Sequence, residues 1–175
     1  ANGTDVIPQL AESWDISDDG LTYTFHLGDH KFSDGSPVTA EDVRYSIQRS
    51  INYDGGWGFL LEAVKSVEAP DPKTVVITLS RPHAPLLADL AMYAYAVIPE
   101  KLVKAQGAKA FFQKPVGSGE WMLTQWNKGA DLTFKVNPFW SGKKPNFTTL
   151  KIMIVPNDNS RVLLLQNKNA DIIEN

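Results

Sequence analysis

Asp15-Ile16-Ser17-Asp18-Asp19-Gly20 has the spacing of the first half of a calcium-binding EF loop, with glycine at the sixth position as that loop demands. The twelfth position is His26, where a bidentate glutamate is needed, and strand alternation begins at Leu21. The segment therefore reads as an acidic β-turn. The three histidines are His26, His30 and His83. His26 and His30 are four apart, which along a strand is ~13 Å, too far to share one ion unless the loop at Gly28 folds back. They read as solvent-facing or locally bonded, and no metal site is assigned. Glu41 and Asp42 are adjacent carboxylates, but acid–base chemistry needs two groups converging from different elements. Gly117-Ser118-Gly119 resembles a nucleophile or phosphate loop, yet it lacks the Lys-Ser/Thr ending of a P-loop and a strand follows it. No Gly-x-Ser-x-Gly elbow is present. The cysteine count is 0, which removes disulfides, thiolate nucleophiles and thiolate metal ligands together. No catalytic constellation, metal or cofactor is expected. Asn2-Gly3-Thr4 and Asn146-Phe147-Thr148 match the glycosylation sequon, a short pattern that recurs by chance.

The aromatics carry more information. The chain has 8 Phe, 5 Tyr and 5 Trp. Trp57 sits among Gly55, Gly56 and Gly58, which offer little local structure to bury it. Tyr93 and Tyr95 follow an apolar segment. Aromatics on loops line ligand clefts because they give large contact area and a polar tip at low entropic cost. Trp57, Tyr93 and Tyr95 are therefore the candidate ligand-binding residues. Trp14, Trp121, Trp126 and Trp140 read better as core or surface-groove residues.

These side chains need elements to position them. The first twenty residues look turn-rich. Leu21, Tyr23, Phe25 and Leu27 fall on one face of the clearest strand. Thr39 followed by Glu41 and Asp42 marks a helix start, with Val43, Ile47 and Ile51 as one apolar stripe. Residues 59–67 suggest a short second helix, and 74–79 a strand with Val75, Ile77 and Leu79 on one face. Residues 86–92 read as a buried helical turn. Pro99 opens a short helix that Gly107 ends. Residues 121–126 and 131–136 flank Asn127-Lys128-Gly129-Ala130 as a β-hairpin. A strand over 150–155 and a helix over 160–167 follow. The expected fold is α+β: a mainly antiparallel sheet holding 21–27, 74–79, 121–126 and 131–136, with helices on one face.

At 175 residues the chain is one domain of ordinary size, or one and a fraction. A formal charge of −3 argues against a nucleic-acid partner, which selects a basic surface. Hydrophobic residues make up 43%, enough to build a core, but no run approaches the ~20 apolar residues of a membrane span. No secretory leader opens the sequence, so an exported protein is represented here in a mature or trimmed form.

Several stretches together resemble one family. Ile7-Pro8-Gln9-Leu10-Ala11-Glu12-Ser13-Trp14, then Ser17-Asp18-Asp19-Gly20-Leu21-Thr22-Tyr23-Thr24-Phe25, are similar to the opening signature of the extracellular solute-binding proteins, family 5. Phe32-Ser33-Asp34-Gly35-Ser36-Pro37-Val38-Thr39-Ala40-Glu41-Asp42-Val43 continues it. Pro115-Val116-Gly117-Ser118-Gly119, Asn137-Pro138-Phe139-Trp140 and the 161–173 segment with Ala170-Asp171-Ile172 complete the series in family order. Gly28 departs from the usual Arg, and Glu120-Trp121 from the usual Pro-Phe.

The resemblance implies the substrate-binding component of an ABC importer, capturing peptides or a similar solute, periplasmic or extracellular and associated with the bacterial cell envelope. Family members bind di- and oligopeptides, nickel chelates, haem and some sugars. The implied fold has two lobes closing on a ligand, and family members run to roughly three times this length. Residues 1–149 then form the small subdomain of the first lobe, and 150–175 a stub of its neighbour. The second lobe is absent, and with it the acidic group that meets a peptide amino terminus. The implied partners are the solute and, for the full-length parent, a membrane permease. The exposed stub also suggests self-association. The alternatives are an enzyme, disfavoured by the missing acid, base and nucleophile pattern, and a stand-alone protein-interaction domain without catalysis.

Overall fold

The computed structural model describes residues 6–53 and 56–174. The Asn2-Gly3-Thr4 pattern and Gly55 lie outside the described residues. Two antiparallel sheets organise the chain. The first contains β1 (Ala11–Ile16), β2 (Thr22–Leu27), β3 (Val64–Asp71) and β4 (Thr74–Leu79) in the order β1-β2-β4-β3. The second contains β5 (Trp121–Asn127), β6 (Asp131–Val136) and β7 (Thr149–Met153) in chain order. Helices α1 (Ala40–Ile51), α2 (Leu86–Leu90), α3 (Glu100–Gln106), α4 (Ala108–Phe111) and α5 (Asp158–Gln166) complete it, with 3-10 turns at Gly58–Leu61 and Tyr93–Tyr95.

Mixed helix and antiparallel sheet match the expected class, but the expected single sheet is two. The segment carrying α2, α3 and α4 stands between them in sequence, and no ladder joins them among the described residues. The period-2 signals marked the strands but carried no information about which would pair. Two further expectations change. The opening, expected to be turn-rich, contains β1. The expected helix over 59–67 is a 3-10 turn followed by β3. Leu61, Val64 and Val67 recur every third residue, imitating a helical stripe. In the strand the Val64-to-Val67 step is accommodated by a register shift between Val64 and Ser66.

The core sits on one face of the first sheet. Tyr23 lies opposite Ile77, and Phe25 opposite Val75. Val75, Ile77 and Leu79 alternate into the interior and meet Ile47 of α1, Leu61, Leu86 of α2 and Tyr95. Helix α1 begins where Thr39 predicts it. The Thr39 hydroxyl oxygen accepts from the Asp42 N–H at 3.4 Å, while the Thr39 N–H donates to Asp42 Oδ2 at 3.0 Å. Asp42 Oδ1 also accepts the Glu100 N–H at 2.9 Å, so one carboxylate caps α1 and anchors the start of α3.

Three of the stretches that carry the family resemblance, at 32–43, 115–119 and 137–140, meet between the two sheets. Phe32 is fully buried, and its turn closes at Gly35, whose φ is +88°. A Cβ at Gly35 would lie 3.0 Å from Phe139 Cζ. The Ser33 N–H donates to the Gly117 carbonyl at 2.8 Å. Buried Asn137 donates through Nδ2 to the Gly119 carbonyl at 2.8 Å and accepts the Phe139 N–H at 3.0 Å. Lys31 Nζ stands 5.8 Å from the Phe139 ring centroid. Strand β7 pairs with β6 from Thr149 to Met153, so the 150–175 segment opens on a strand hydrogen-bonded to the chain before it.

Candidate functional site

The polar groups that suggested chemistry are occupied by structure. Asp19 Oδ1 accepts from the Ser17 hydroxyl at 2.6 Å and from the Leu21 N–H at 3.0 Å. Those bonds hold its carboxyl below the ordinary value and make the segment the acidic turn its sequence suggested. His26 Nε2 meets Asp15 Oδ2 at 2.9 Å across the β1–β2 hairpin. His30 Nδ1 meets the Ser141 hydroxyl at 3.1 Å, and His83 Nε2 meets Asp89 Oδ2 at 2.7 Å. The three histidines thus have three separate partners. No group of three or more metal-ligating side chains gathers among the described residues. Glu41 pairs with Arg44, which lowers its pKa chiefly through their hydrogen bond, and Asp42 serves α1 and α3. Gly117 and Gly119 contribute carbonyls to the junction.

Gly28 has a local reason to differ from arginine. A Cβ there would lie 2.5 Å from Glu12 Oε1 and 2.9 Å from His30 Nε2. The space a side chain would enter is filled by that carboxylate and imidazole.

The three candidate aromatics share one end of the first sheet's covering layer, in different ways. Trp57 is 43% exposed, with its ring centroid 5.8 Å from that of Phe59. Tyr93 is 78% exposed. Tyr95 is buried, and its hydroxyl donates to the Trp57 carbonyl at 2.6 Å. Trp57 and Tyr93 thus present surface, while Tyr95 supports Trp57 from beneath. Around them lie residues that sequence patterning did not single out. Phe59 and Tyr53 are both exposed. The Arg49 guanidinium lies 5.6 Å from the Tyr53 ring and 4.8 Å from the Phe112 ring. Tyr53 and Phe59 flank the same glycine-rich break as Trp57, a signal that could have found them.

An apolar cavity of about 820 Å³ opens beside this surface. Trp14 and Phe25 of the sheet, Val43 of α1, Leu87 and Met92 help to line it, with Tyr93 and Tyr95 at one side. Its size suits a small solute. Among the described residues its lining contains no charged side chain.

A model described as bacterial extracellular solute-binding proteins, family 5 Middle, matches residues 5–175. The probable D,D-dipeptide-binding periplasmic protein DdpA of Escherichia coli (strain K12) is 40% identical over 176 residues, covering 98% of this chain and 34% of that protein. The Helicobacter pylori periplasmic binding protein DppA, solved with the peptide STSA, matches with a TM-score of 0.85 at 30% identity. That match covers 95% of this chain and 37% of the other. NikZ of Campylobacter jejuni, solved with Ni(L-His), matches with a TM-score of 0.82 at 31% identity, over 93% of this chain and 33% of the other. The chain spans about a third of the length of these relatives. Members of this family bind solutes and are not enzymes, in keeping with polar groups that serve turns, caps and the junction. From its opening strand to its last helix, the chain belongs to the bacterial extracellular solute-binding proteins, family 5.

Proposed function

We propose that this chain is part of the periplasmic substrate-binding component of an ABC importer for peptides or a similar small solute. The observation that carries this is the family match over 5–175 together with a D,D-dipeptide-binding relative at 40% identity. In this reading 1–149 is the small subdomain of the first lobe, and 150–175 begins its neighbour. Trp57 and Tyr93 face the solute, and Tyr95 belongs to the same group as its buried member. The apolar character of the described lining residues supports a division of labour. Groups that meet the charged ends of a peptide come from polypeptide beyond this chain, and the aromatic surface packs against apolar parts of the solute. The ligand-bound parent then docks on a membrane permease at the cell envelope.

In a two-lobe clamp, affinity comes from contacts made by both lobes at once, and each 1.4 kcal/mol lost is about tenfold in Kd. Isothermal calorimetry with L-Ala-L-Ala and D-Ala-D-Ala, run on the longer gene product and on the 175-residue chain, tests this. The longer protein is expected to bind at least one of them, and this chain about 100-fold more weakly or not measurably. Equal affinities would overturn the clamp, and no binding by the longer protein would overturn the dipeptide assignment.

A further inference from the structure

Trp57 is held from two sides by groups that do not reach the surface with it. On one side the backbone at Gly58 lies against the last turn of α1. A Cβ at Gly58 would come 2.6 Å from the Ile51 carbonyl oxygen and 3.0 Å from that of Ser50, so glycine alone permits this approach. On the other side the Tyr95 hydroxyl donates to the Trp57 carbonyl at 2.6 Å. Tyr95 is 4% exposed and packs within the core cluster of Ile47, Leu61 and Leu86. Its own turn is tied to α1, because the Ser50 hydroxyl donates to the Ala94 carbonyl at 3.0 Å. The end of α1, residues 57–58 and the Tyr93–Tyr95 turn form one closed knot. Outside it project the Trp57 indole and the Tyr93 phenol. Burial first, and the nearby Asp89 charge second, raise the Tyr95 phenol above its ordinary 10.0, so it remains a donor throughout the neutral range.

We propose that Tyr95 is a positioning residue: by anchoring the Trp57 carbonyl it fixes the direction in which the indole leaves the surface. Without that hydroxyl, the Trp57 carbonyl keeps the Leu60 N–H of its own 3-10 turn, at 3.1 Å, but loses its tie to the buried Tyr95. The effect on solute binding rests on the preceding reading, whereas the effect on Trp57 itself does not.

Fluorine NMR of the chain labelled with 5-fluorotryptophan separates the two. The Trp57 line is assigned by its loss in Trp57→Phe. In Tyr95→Phe that line is expected to broaden or split, while the lines of Trp14, Trp121, Trp126 and Trp140 stay in place. Ser50→Ala, which frees the same turn from α1, provides a second variant with the same expected signature should Tyr95→Phe fail to fold. A sharp, unshifted Trp57 line in both variants, or equal changes in all the lines, would overturn the positioning role. Calorimetry of the longer protein with L-Ala-L-Ala and D-Ala-D-Ala supplies the functional arm. Tyr95→Phe is expected to weaken binding about 2- to 10-fold, the worth of one hydrogen bond, and Trp57→Ala at least as much. Weakening in Trp57→Ala with none in Tyr95→Phe would overturn the positioning role. No weakening in Trp57→Ala would instead defeat the solute contact, leaving the fluorine spectra to decide whether Tyr95 positions the indole.

Discussion

Asp19 spends its carboxylate on its own turn, and this makes it a source of acid sensitivity. Its pKa is lowered, first by the Ser17 hydroxyl and then by the Leu21 N–H. A group with a depressed folded pKa contributes stability that is present above the unfolded value and lost as pH falls through the folded one. The contribution of Asp19 therefore disappears below its ordinary value of 3.8. Asp19→Asn is expected to flatten the fall of Tm between about pH 4 and pH 2, read by circular dichroism at each pH. An unchanged slope would show that the turn does not contribute to the acid limb. Asn137 makes a different kind of contribution, because its buried amide satisfies two backbone groups of the junction. Asn137→Ala leaves the Gly119 carbonyl and the Phe139 N–H unpaired, and a loss of about 2–3 kcal/mol in urea unfolding is expected. Residues with local partners were legible in the sequence: Asp19 serves a turn two residues away, and Thr39 a cap three residues away. The burial of Tyr95 was not, because its partner Trp57 lies 38 residues away and a 3-10 turn imposes no alternation.

Among the elements, β4 and the hairpin marked by a glycine turn followed their patterns, whereas the bulged β1 and β3 did not. Strand β4 keeps strict alternation and was evident; the β5–β6 hairpin, whose β5 has a register shift between Leu123 and Gln125, was evident from its Gly129 turn at φ +77°. Strand β1 pairs with β2 through a register shift between Ala11 and Ser13, and β3 contains two such shifts. A bulge moves the inward face by one residue, so period-2 reading fails there. The division into two sheets was hidden for another reason, since pairing over long sequence distances leaves no periodic trace. Two glycines separate backbone strain from packing at this scale. Gly20 has φ +67° with nothing near its missing Cβ, whereas Gly35 combines φ +88° with Phe139 at 3.0 Å. Gly20→Ala is expected to cost about 1 kcal/mol from the left-handed backbone alone. Gly35→Ala is expected to cost about 1–3 kcal/mol more, from overpacking against Phe139. Equal losses in thermal melts would show that the Phe139 ring moves aside freely.

Across the molecule, burial is uneven. The buried apolar residues gather in the first sheet, α1 and the turns and short helices that follow the sheet's strands, whereas α5 contains none and β7 lies largely exposed. Ile152, Met153, Ile154, Val162, Leu163 and Ile172 are all exposed. In a longer protein we expect further chain to pack on this surface. In the 175-residue chain it invites association, and a net charge of −3 provides little repulsion. Light scattering over a concentration series is expected to show oligomers that Ile152→Lys combined with Leu163→Glu reduces to monomer. A monomer at every concentration, before those substitutions, would show that the apolar residues of β7 and α5 do not drive association. No helix among the described residues is long and apolar enough to cross a membrane.

The junction also bears on the order of folding. Its closing contacts join distant parts of the chain; the His30–Ser141 hydrogen bond spans 111 residues. The β1–β2 and β5–β6 hairpins require only short loops to close. Loop-closure entropy therefore favours the hairpins early and the junction late. Contacts formed after the rate-limiting barrier govern the speed of unfolding rather than of folding. In stopped-flow chevrons, Gly35→Ala is therefore expected to steepen the escape from the native state while leaving the refolding limb nearly unchanged. The signature residues of the junction would then act as a kinetic latch, setting how long the two sheets remain joined once assembled.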